Sequence, residues 1–404
     1  MRIVVAVDKF KGSLSAREAA RHIAAGLRRG WRDLAVEELP LSDGGEGFLD
    51  MLLRARGGTA ETVVVAGPLG DPVPARLGLL AGEDTAVVEA AEACGLWRLP
   101  GDQRDPWRAT SRGVGDLIRA ALQAGRRRIL VGIGGTASSD GGAGLARSLG
   151  VRLLDARGHD VADGAQGLLD VAVIDPRGLD RRLHDAVITA ACDVNNPLCG
   201  PRGAAAVFGP QKGLAPGDVP LLDRALADYA RRVEATMPRR NRDRRDNDGQ
   251  RRGAAATASL AERPGTGAGG GIAFALAAFA RAALVSGAQL ALSATGAGRR
   301  FASADLVVTG EGRLDESSLL GKLPMAVTQA ARRRGVPVVA ICGQVALSED
   351  RWREAGLDAV VPLGAGPATS PAPSGDAQER AEAAGCRIAS LLRRGLRPTG
   401  LIQP

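Results

Sequence analysis

Lysine is rare in this chain, and most of its lysines adjoin glycine. Of 53 lysine and arginine residues among 404, only four are lysines: Lys9, Lys11, Lys212 and Lys322. A compact ammonium group on a flexible stem suits a moving phosphate better than a rigid guanidinium does. Three of the four touch a glycine, which makes them candidates for phosphate binding. The chain has 55 glycines, however, so chance neighbours explain the pattern about equally well.

Glycine-rich loops that carry acids recur after predicted strands. Glycines let backbone N–H groups approach phosphate oxygens, and carboxylates can hold Mg²⁺ or accept a hydroxyl proton. Because the carboxyl ends of parallel strands form one crevice, we expect these loops to converge although they are far apart in sequence. Together they are the parts of a phosphotransferase. The loops are residues 8–13, 42–47, 132–144, 193–213 and 310–322.

The elements that would position these loops alternate along the chain. Short β-branched runs, followed by segments of helical period, predict an α/β protein with parallel sheets. Ser111 is a predicted cap for a helix over 115–124. Strands are predicted at 3–7, 36–39, 62–65, 85–89, 128–132, 187–191, 305–309, 336–341 and 358–361, and other helices at 16–29, 219–236, 272–284, 324–334 and 376–394.

Composition excludes several classes of protein. The formal charge of +8 could suggest nucleic acid, but residues 239–252 carry seven Arg and three Asp, half of that excess. We interpret 239–264 as a disordered Arg- and Ala-rich insertion, with an RNA-binding arm as the alternative. Only 3% of residues are aromatic, which disfavours base stacking. Five cysteines without CxxC spacing, and no long apolar run, predict a cytoplasmic protein without disulfides or a membrane partner.

Two loops admit other interpretations. Residues 132–137 match the dinucleotide pattern G-x-G-x-x-A, and Asp155 ends a later apolar run, as in an NAD-dependent oxidoreductase. The continuation over 138–142 adds a carboxylate and two glycines where the helix should already pack on its strand. Asp193 and Asn195 follow a predicted strand and could bind a polar substrate, but an Asx-turn before Pro197 explains them as well.

Seven motifs in order resemble the bacterial type I glycerate kinase family over about residues 1–390. The resemblance implies ATP-dependent phosphorylation of D-glycerate, mostly at the 2-hydroxyl. It also implies two α/β domains: a flavodoxin-like, parallel-sheet domain built from both chain ends (1–75 and 287–395) and a second α/β domain inserted between them (76–286). The motifs begin at Asp8, Ser42, Gly67, Gly134, Asp193, Phe208 and Gly310.

Roles follow as hypotheses from this resemblance and from residue chemistry. Lys11, Lys212 and Lys322 would neutralise phosphate or carboxylate charge, and Lys11 would act in catalysis. Asp193 or Asp315 would accept the hydroxyl proton. Asp43 and Glu46 would hold Mg²⁺ for ATP. The other predicted substrate- and phosphate-binding residues are Asp8, Ser13, Gly134, Gly135, Ser138, Asn195 and Arg313. We expect a monomer or homodimer that binds glycerate and ATP, and no nucleic acid.

Overall fold

The structure is a computed structural model that describes residues 1–10, 12–237, 259–363 and 374–395. Lys11 and most of the predicted arginine-rich insertion lie outside these residues. The strands are β1 Arg2–Val5, β2 Ala35–Glu38, β3 Gly58–Ala66, β4 Pro72–Leu80, β5 Thr85–Glu89, β6 Arg128–Gly132, β7 Arg152–Leu154, β8 Val173–Asp175, β9 Val187–Ala191, β10 Ala283–Val285, β11 Leu306–Leu314, β12 Val338–Val345 and β13 Ala359–Pro362.

Helices separate most of these strands. They are α1 Ala16–Gly30, α2 Phe48–Arg56, α3 Ala90–Cys94, α4 Arg112–Gln123, α5 Ala143–Ser148, α6 Ala204–Phe208, α7 Val219–Thr236, α8 Ile272–Phe279, α9 Gly287–Ala294, α10 Ala297–Ala302, α11 Leu323–Arg332, α12 Glu349–Glu354 and α13 Ser374–Arg393. The chain divides into two compact units, Met1–Gly57 with Ser286–Pro404, and Gly58–Val285. In the described ranges, we find no helix with the length and apolar character needed to span a membrane.

The first unit contains a parallel sheet in the order β13-β12-β11-β1-β2. Numbered within the unit this is 2-1-3-4-5, the flavodoxin-like order, in which ligands bind where the strand order reverses. That point lies between β1 and β11. The capping box of Ser15 and Glu18 begins α1, which packs closely on α13. A Cβ on Gly26 would lie 1.9 Å from the Glu382 carbonyl oxygen, so this helix contact requires glycine.

The second unit contains a mixed sheet in the order β10-β9-β6-β5-β4-β3. Strands β10, β9, β6 and β5 are parallel, whereas β4 and β3 are antiparallel to their neighbours. β7 and β8 form a separate antiparallel pair. The fold class predicted from the sequence, two α/β domains with the second inserted into a flavodoxin-like one, is confirmed.

Three predictions of detail need correction. The compact units divide after Gly57 rather than after residue 75, because β3 pairs with β4 and β4 pairs with β5 of the second unit. The helix predicted over 272–284 ends at Phe279, and the same apolar run continues into β10, which periodicity alone cannot separate from a buried helix. The prediction of disorder is wrong for 259–264. A short 3₁₀ helix forms at Leu260–Glu262, and the Glu234 carboxylate accepts hydrogen bonds from the Ser259 hydroxyl and the Ala261 N–H.

Candidate functional site

Charged side chains gather in the first unit near the carboxyl ends of its strands. We call this group the acidic cluster. It joins the loop after β1, the loop between β2 and α2, the end of β11 and the start of α11. Its members are Asp8, Lys9, Asp43, Glu46, Glu311, Arg313, Asp315 and Lys322.

Asp8 lies just beyond β1, next to the reversal in strand order. Its N–H donates to the Gly310 carbonyl at 3.2 Å, and its carboxylate accepts the Lys9 N–H at 2.7 Å. Burial and the nearby Asp43 carboxylate raise the pKa of Asp8 well above its usual range. Asp8 therefore lies where the flavodoxin-like topology predicts a ligand, and ionising it is costly without a cation.

The loop between β2 and α2 contributes Asp43 and Glu46. Burial raises the pKa of Asp43, although Lys9 and Lys322 oppose the shift. Glu46 is 45% exposed and lies 3.4 Å from the Lys9 ammonium group. The loop is held from behind, because a Cβ on Gly287 would lie 1.8 Å from the Asp43 carbonyl oxygen. The structure thus brings both predicted metal ligands into the acidic cluster.

The Asp315 carboxylate belongs to the acidic cluster, and both of its oxygens have polar partners. Its Oδ1 accepts from the Ser317 N–H at 2.9 Å and from the Ser317 hydroxyl at 2.5 Å, and its Oδ2 lies 3.3 Å from Arg313 Nε. Lys322 Nζ donates to the same Ser317 hydroxyl at 2.6 Å. Although burial opposes the change, these contacts lower the pKa of Asp315. Asp315, Arg313 and Lys322, three of the candidate residues, therefore lie together in the acidic cluster.

Glu311 is a site residue that the sequence interpretation missed. Its Oε1 is buried and, within the described ranges, has no hydrogen-bond partner. Burial raises the pKa of Glu311 to about 7, although the nearby Ser318 hydroxyl and the charge of Lys322 oppose the shift. The signal was available, because Glu311 lies between two glycines directly after an apolar run. Sequence reasoning assigns the proton-acceptor role to Asp193 or Asp315 instead.

Ser13 has a local role in the structure. Its hydroxyl donates to the Phe10 carbonyl at 3.0 Å and its N–H to the same oxygen at 2.9 Å. Phe10 and Leu14 bridge across this turn. Ser13 therefore holds the turn after β1 closed.

A second polar group lies in the second unit beyond the carboxyl ends of β5 and β6. We call it the buried hub, and it consists of Ser111, Ser138, Ser139, Asp140 and Lys212. Asp140 is fully buried and accepts from the Ser111 N–H and hydroxyl, both at 2.9 Å, and from the N–H groups of Gly142 and Gly144, both at 3.1 Å. Burial nevertheless raises its pKa. The predicted capping of α4 by the Ser111 hydroxyl is wrong, since that hydroxyl binds Asp140.

Lys212 is 4% exposed, and its Nζ donates to the Ser138 carbonyl at 2.5 Å. Burial lowers its pKa to about 8, although Cys94 and Asp140 oppose the shift. The Ser138 and Ser139 hydroxyls are buried, and the described structure offers neither a hydrogen-bond partner. The buried hub thus contains two hydroxyl groups whose hydrogen-bonding capacity is unused among the described residues.

Glycines close the hub tightly. A Cβ on Gly270 would lie 2.1 Å from the Ser138 carbonyl oxygen and 2.9 Å from Lys212 Nζ, and the residue has a left-handed φ of 67°. Gly134 and Gly135, by contrast, are partly or fully exposed at the start of the loop. These two predicted phosphate-binding glycines are therefore accessible, whereas Ser138 is buried.

Asp193 and Asn195 lie on the loop after β9. Asp193 is half-buried and Asn195 is exposed. Asp193 also raises the pKa of the Cys192 thiol, after burial as the main cause. The hydrogen bonds that define the buried hub, within the described residues, do not involve either side chain.

The dinucleotide interpretation of residues 132–137 is wrong. The helix that should follow it directly, α5, begins only at Ala143, and the intervening chain forms the buried hub. Asp155 directly follows β7, which pairs with β8 outside the main sheet, and its Oδ1 accepts from Arg157 N–H at 2.8 Å and His159 N–H at 2.9 Å. That carboxylate serves a turn and is not the ribose ligand of a parallel sheet.

Flavodoxin-like topology with an acid- and lysine-bearing switch point defines an α/β phosphotransferase, and comparisons with known proteins agree. The family model described as "Glycerate kinase family" matches residues 3–393. The chain is 41% identical to "Glycerate kinase" of Bacillus subtilis over 89% of both chains. It is 39% identical to "Glycerate 2-kinase" of Escherichia coli K12, over 89% of this chain and 90% of that one.

A solved structure agrees as well. A crystal structure assigned to glycerate kinase 2 of Salmonella typhimurium LT2 matches with a TM-score of 0.76 and 40% identity, covering 98% of this chain and 99% of that one. The chain belongs to the glycerate kinase family and is an ATP-dependent kinase. The prediction of this family is confirmed, and the oxidoreductase alternative is not supported.

Proposed function

We propose that the protein transfers the γ-phosphoryl group of ATP to the 2-hydroxyl of D-glycerate, giving 2-phosphoglycerate and ADP. The observation that carries the proposal is the acidic cluster at the reversal of strand order in a flavodoxin-like sheet. The 39% identity to a protein named glycerate 2-kinase supports the 2-hydroxyl as the acceptor.

The acidic cluster suits Mg²⁺ as the companion of ATP. Its five carboxylates face three cationic side chains among the described residues, and Asp8 and Asp43 raise the cost of each other's ionisation. In those same ranges no group of three or more His, Cys, Asp or Glu side chains is placed to hold a metal ion by itself. Mg²⁺ in kinases usually takes one or two carboxylates, with phosphate and water as its other ligands. We assign it to Asp43, with Glu46 after release from Lys9; the ion would neutralise phosphate charge.

Phosphoryl transfer needs positioning and charge neutralisation more than covalent help. In the first unit, Lys322 and Arg313 supply positive charge next to the acids, and Asp8 would bind substrate. In the second unit, Lys212 binds the carbonyl of Ser138, in the same loop as Gly134 and Gly135, whose accessible backbone can approach an anion. These assignments, with Ser13, Asn195 and Asp193 as further candidates, are proposals for mutagenesis.

The test is incubation of purified protein with Mg-ATP and D-glycerate, with enolase added and phosphoenolpyruvate followed by ultraviolet absorbance. A rise without phosphoglycerate mutase supports transfer to the 2-hydroxyl. A rise that requires the mutase means that 3-phosphoglycerate is formed and that the proposed regiochemistry is wrong. If glycerate does not stimulate ADP formation, the proposed function fails as a whole. L-Glycerate in place of the D-isomer tests the stereochemistry.

We further propose a cytoplasmic monomer or homodimer. All five cysteines are free thiols, as a reducing compartment requires, and ATP is available there. Light scattering after gel filtration distinguishes the two assemblies, and a larger species contradicts both.

A further inference from the structure

The Glu311 carboxylate differs from the other acids of its motif. Its Oε1 is buried without a hydrogen-bond partner within the described structure, although the residue as a whole is only partly buried. A buried polar atom without a partner costs free energy, so its retention calls for an explanation. Glu311 lies on β11, beside the reversal in strand order where this topology binds ligands.

The groups around Glu311 come from every element packed on this end of β11. Besides burial, the charges of Asp315 and of Asp43, on the loop after β2, raise the pKa of Glu311. Glu311 in turn contributes to the raised pKa of Asp8, on the loop after β1. Lys322, at the start of α11, favours the anion of Glu311, as does the nearby Ser318 hydroxyl, which donates to the Arg313 carbonyl at 3.4 Å. The thiol of Cys342 on β12 also interacts with Glu311 but is fully buried.

Asp315, in the same motif, is in the opposite situation. Its Oδ1 accepts two hydrogen bonds from Ser317 and its Oδ2 pairs with Arg313. A carboxylate so well satisfied is a poor proton acceptor, because protonation would break those contacts. A carboxyl group with an unused oxygen and little solvation is suited to general base catalysis.

We propose that Glu311 is the general base of phosphoryl transfer and accepts the proton of the substrate hydroxyl. As that hydroxyl oxygen forms its bond to the γ-phosphorus, its proton passes to the Glu311 carboxylate. The bond between the γ-phosphorus and the bridging β-γ oxygen breaks, and its electron pair leaves with ADP. The inference rests on the proposed function, since the hydroxyl belongs to glycerate.

The experiment compares Glu311→Gln with Glu316→Gln, a change in the same loop. Glu316 is exposed and pairs with Arg351 at 3.0 Å, outside the acidic cluster. ADP release with D-glycerate is measured from pH 5.5 to 9, and nucleotide affinity is measured separately by calorimetry with Mg-ADP. We expect E311Q to lose about 100-fold in kcat and to lose the acidic limb of the pH profile, with Mg-ADP affinity within about threefold. E316Q should match the wild type.

Glu311→Asp provides a second variant that retains a carboxylate. It should recover part of kcat and restore an acidic limb. Wild-type kcat in E311Q would overturn the inference, as would a lower kcat with the acidic limb unchanged, because a positioning role alone gives the second result. If the wild type itself forms no ADP with glycerate, the proposed function fails instead, so the two failures are distinguishable.

Discussion

Two loops of this protein share a sequence pattern and differ in chemistry. Asp43-Gly-Gly-Glu-Gly47 belongs to the first unit and Asp140-Gly-Gly-Ala-Gly144 to the second. Each begins with an aspartate and leads into a helix, α2 or α5, whose N-cap glycine has a left-handed φ of 90° or 76°. The two backbones agree at the first glycine, Gly44 or Gly141, which has a positive φ of 108° or 64° that glycine adopts without strain. They then differ, because the helix begins after the fifth residue of the first motif and after the third residue of the second.

The aspartates differ in what surrounds them. Four donors converge on the fully buried Asp140, and two of them belong to Ser111, 29 residues away. Asp43 is half-buried, and its carboxylate accepts local backbone hydrogen bonds, from its own N–H and that of Gly45, among nearby charges: Lys9, Lys322 and the repelling Asp8. Asp140 is therefore a structural anchor, whereas Asp43 is held ready for a cation or substrate. A carboxylate's role depends on how many of its acceptor sites the fold has filled.

The largest expected effect is on stability, at the anchor. Asp140→Ala leaves four buried donors without an acceptor and should lower the free energy of unfolding by about 4 kcal/mol. Urea denaturation followed by circular dichroism measures the loss. Asp170→Ala, at an exposed position, is the control and should change it by less than about 0.5 kcal/mol. A loss below about 1 kcal/mol for D140A would remove the distinction between the loops.

The second prediction concerns the other aspartate. Asp43→Asn should lower kcat about 100-fold while leaving the melting temperature unchanged or raised, because it removes a charge that Asp8 repels. Coupled ADP assays and thermal scans measure the two quantities, with exposed Asp33→Asn as the control. An active but destabilised D43N would mean that Asp43 is a structural residue like Asp140.

The third prediction separates the two N-cap glycines. A Cβ on Gly142 would lie 2.3 Å from the Ala275 Cβ, whereas a Cβ on Gly47 would meet nothing within 4 Å. Gly47→Ala should cost about 1 kcal/mol, from the left-handed backbone alone. Gly142→Ala should cost about 3 kcal/mol, because overpacking adds to that strain. Equal losses on urea denaturation would contradict the packing difference.

The smallest predicted effect is on the pH dependence of stability. Because the folded-state pKa of Glu311 is raised to about 7 from 4.5, its contribution lowers stability as pH rises through that window. Glu311→Gln removes this penalty, so its melting temperature should exceed the wild type's by about 3 °C at pH 8 and by little at pH 4.5. The pKa of Lys212, lowered to about 8, affects the pH dependence of stability equally in the wild type and in E311Q, so it does not contribute to the difference between them. A difference independent of pH would contradict the raised pKa.

Local sequence information predicted many of the elements well. The strands 85–89, 128–132 and 187–191 and the helix 219–236 occur with the predicted bounds, because their apolar period and flanking turn residues are local properties. The predicted end of the helix after residue 272 was wrong, because the local apolar pattern does not distinguish a helix from a strand there. A buried helix and a buried strand have equivalent composition, and only β9 beside it makes β10 a strand.

The sequence by itself determined the class of protein, the family resemblance and which loops carry acids, glycines and lysines. It also placed Asp8, Asp43, Glu46, Asp315 and Lys322 among the candidates. Only the tertiary structure decided which of these groups are satisfied. Ser111 donates to the Asp140 carboxylate, and Ser317 donates to that of Asp315. One oxygen of Glu311 has no hydrogen-bond partner in the described part of the chain. Burial and hydrogen-bond partners arise mostly from residues far apart in the chain, and these set the pKa and hence the chemistry of each carboxyl group.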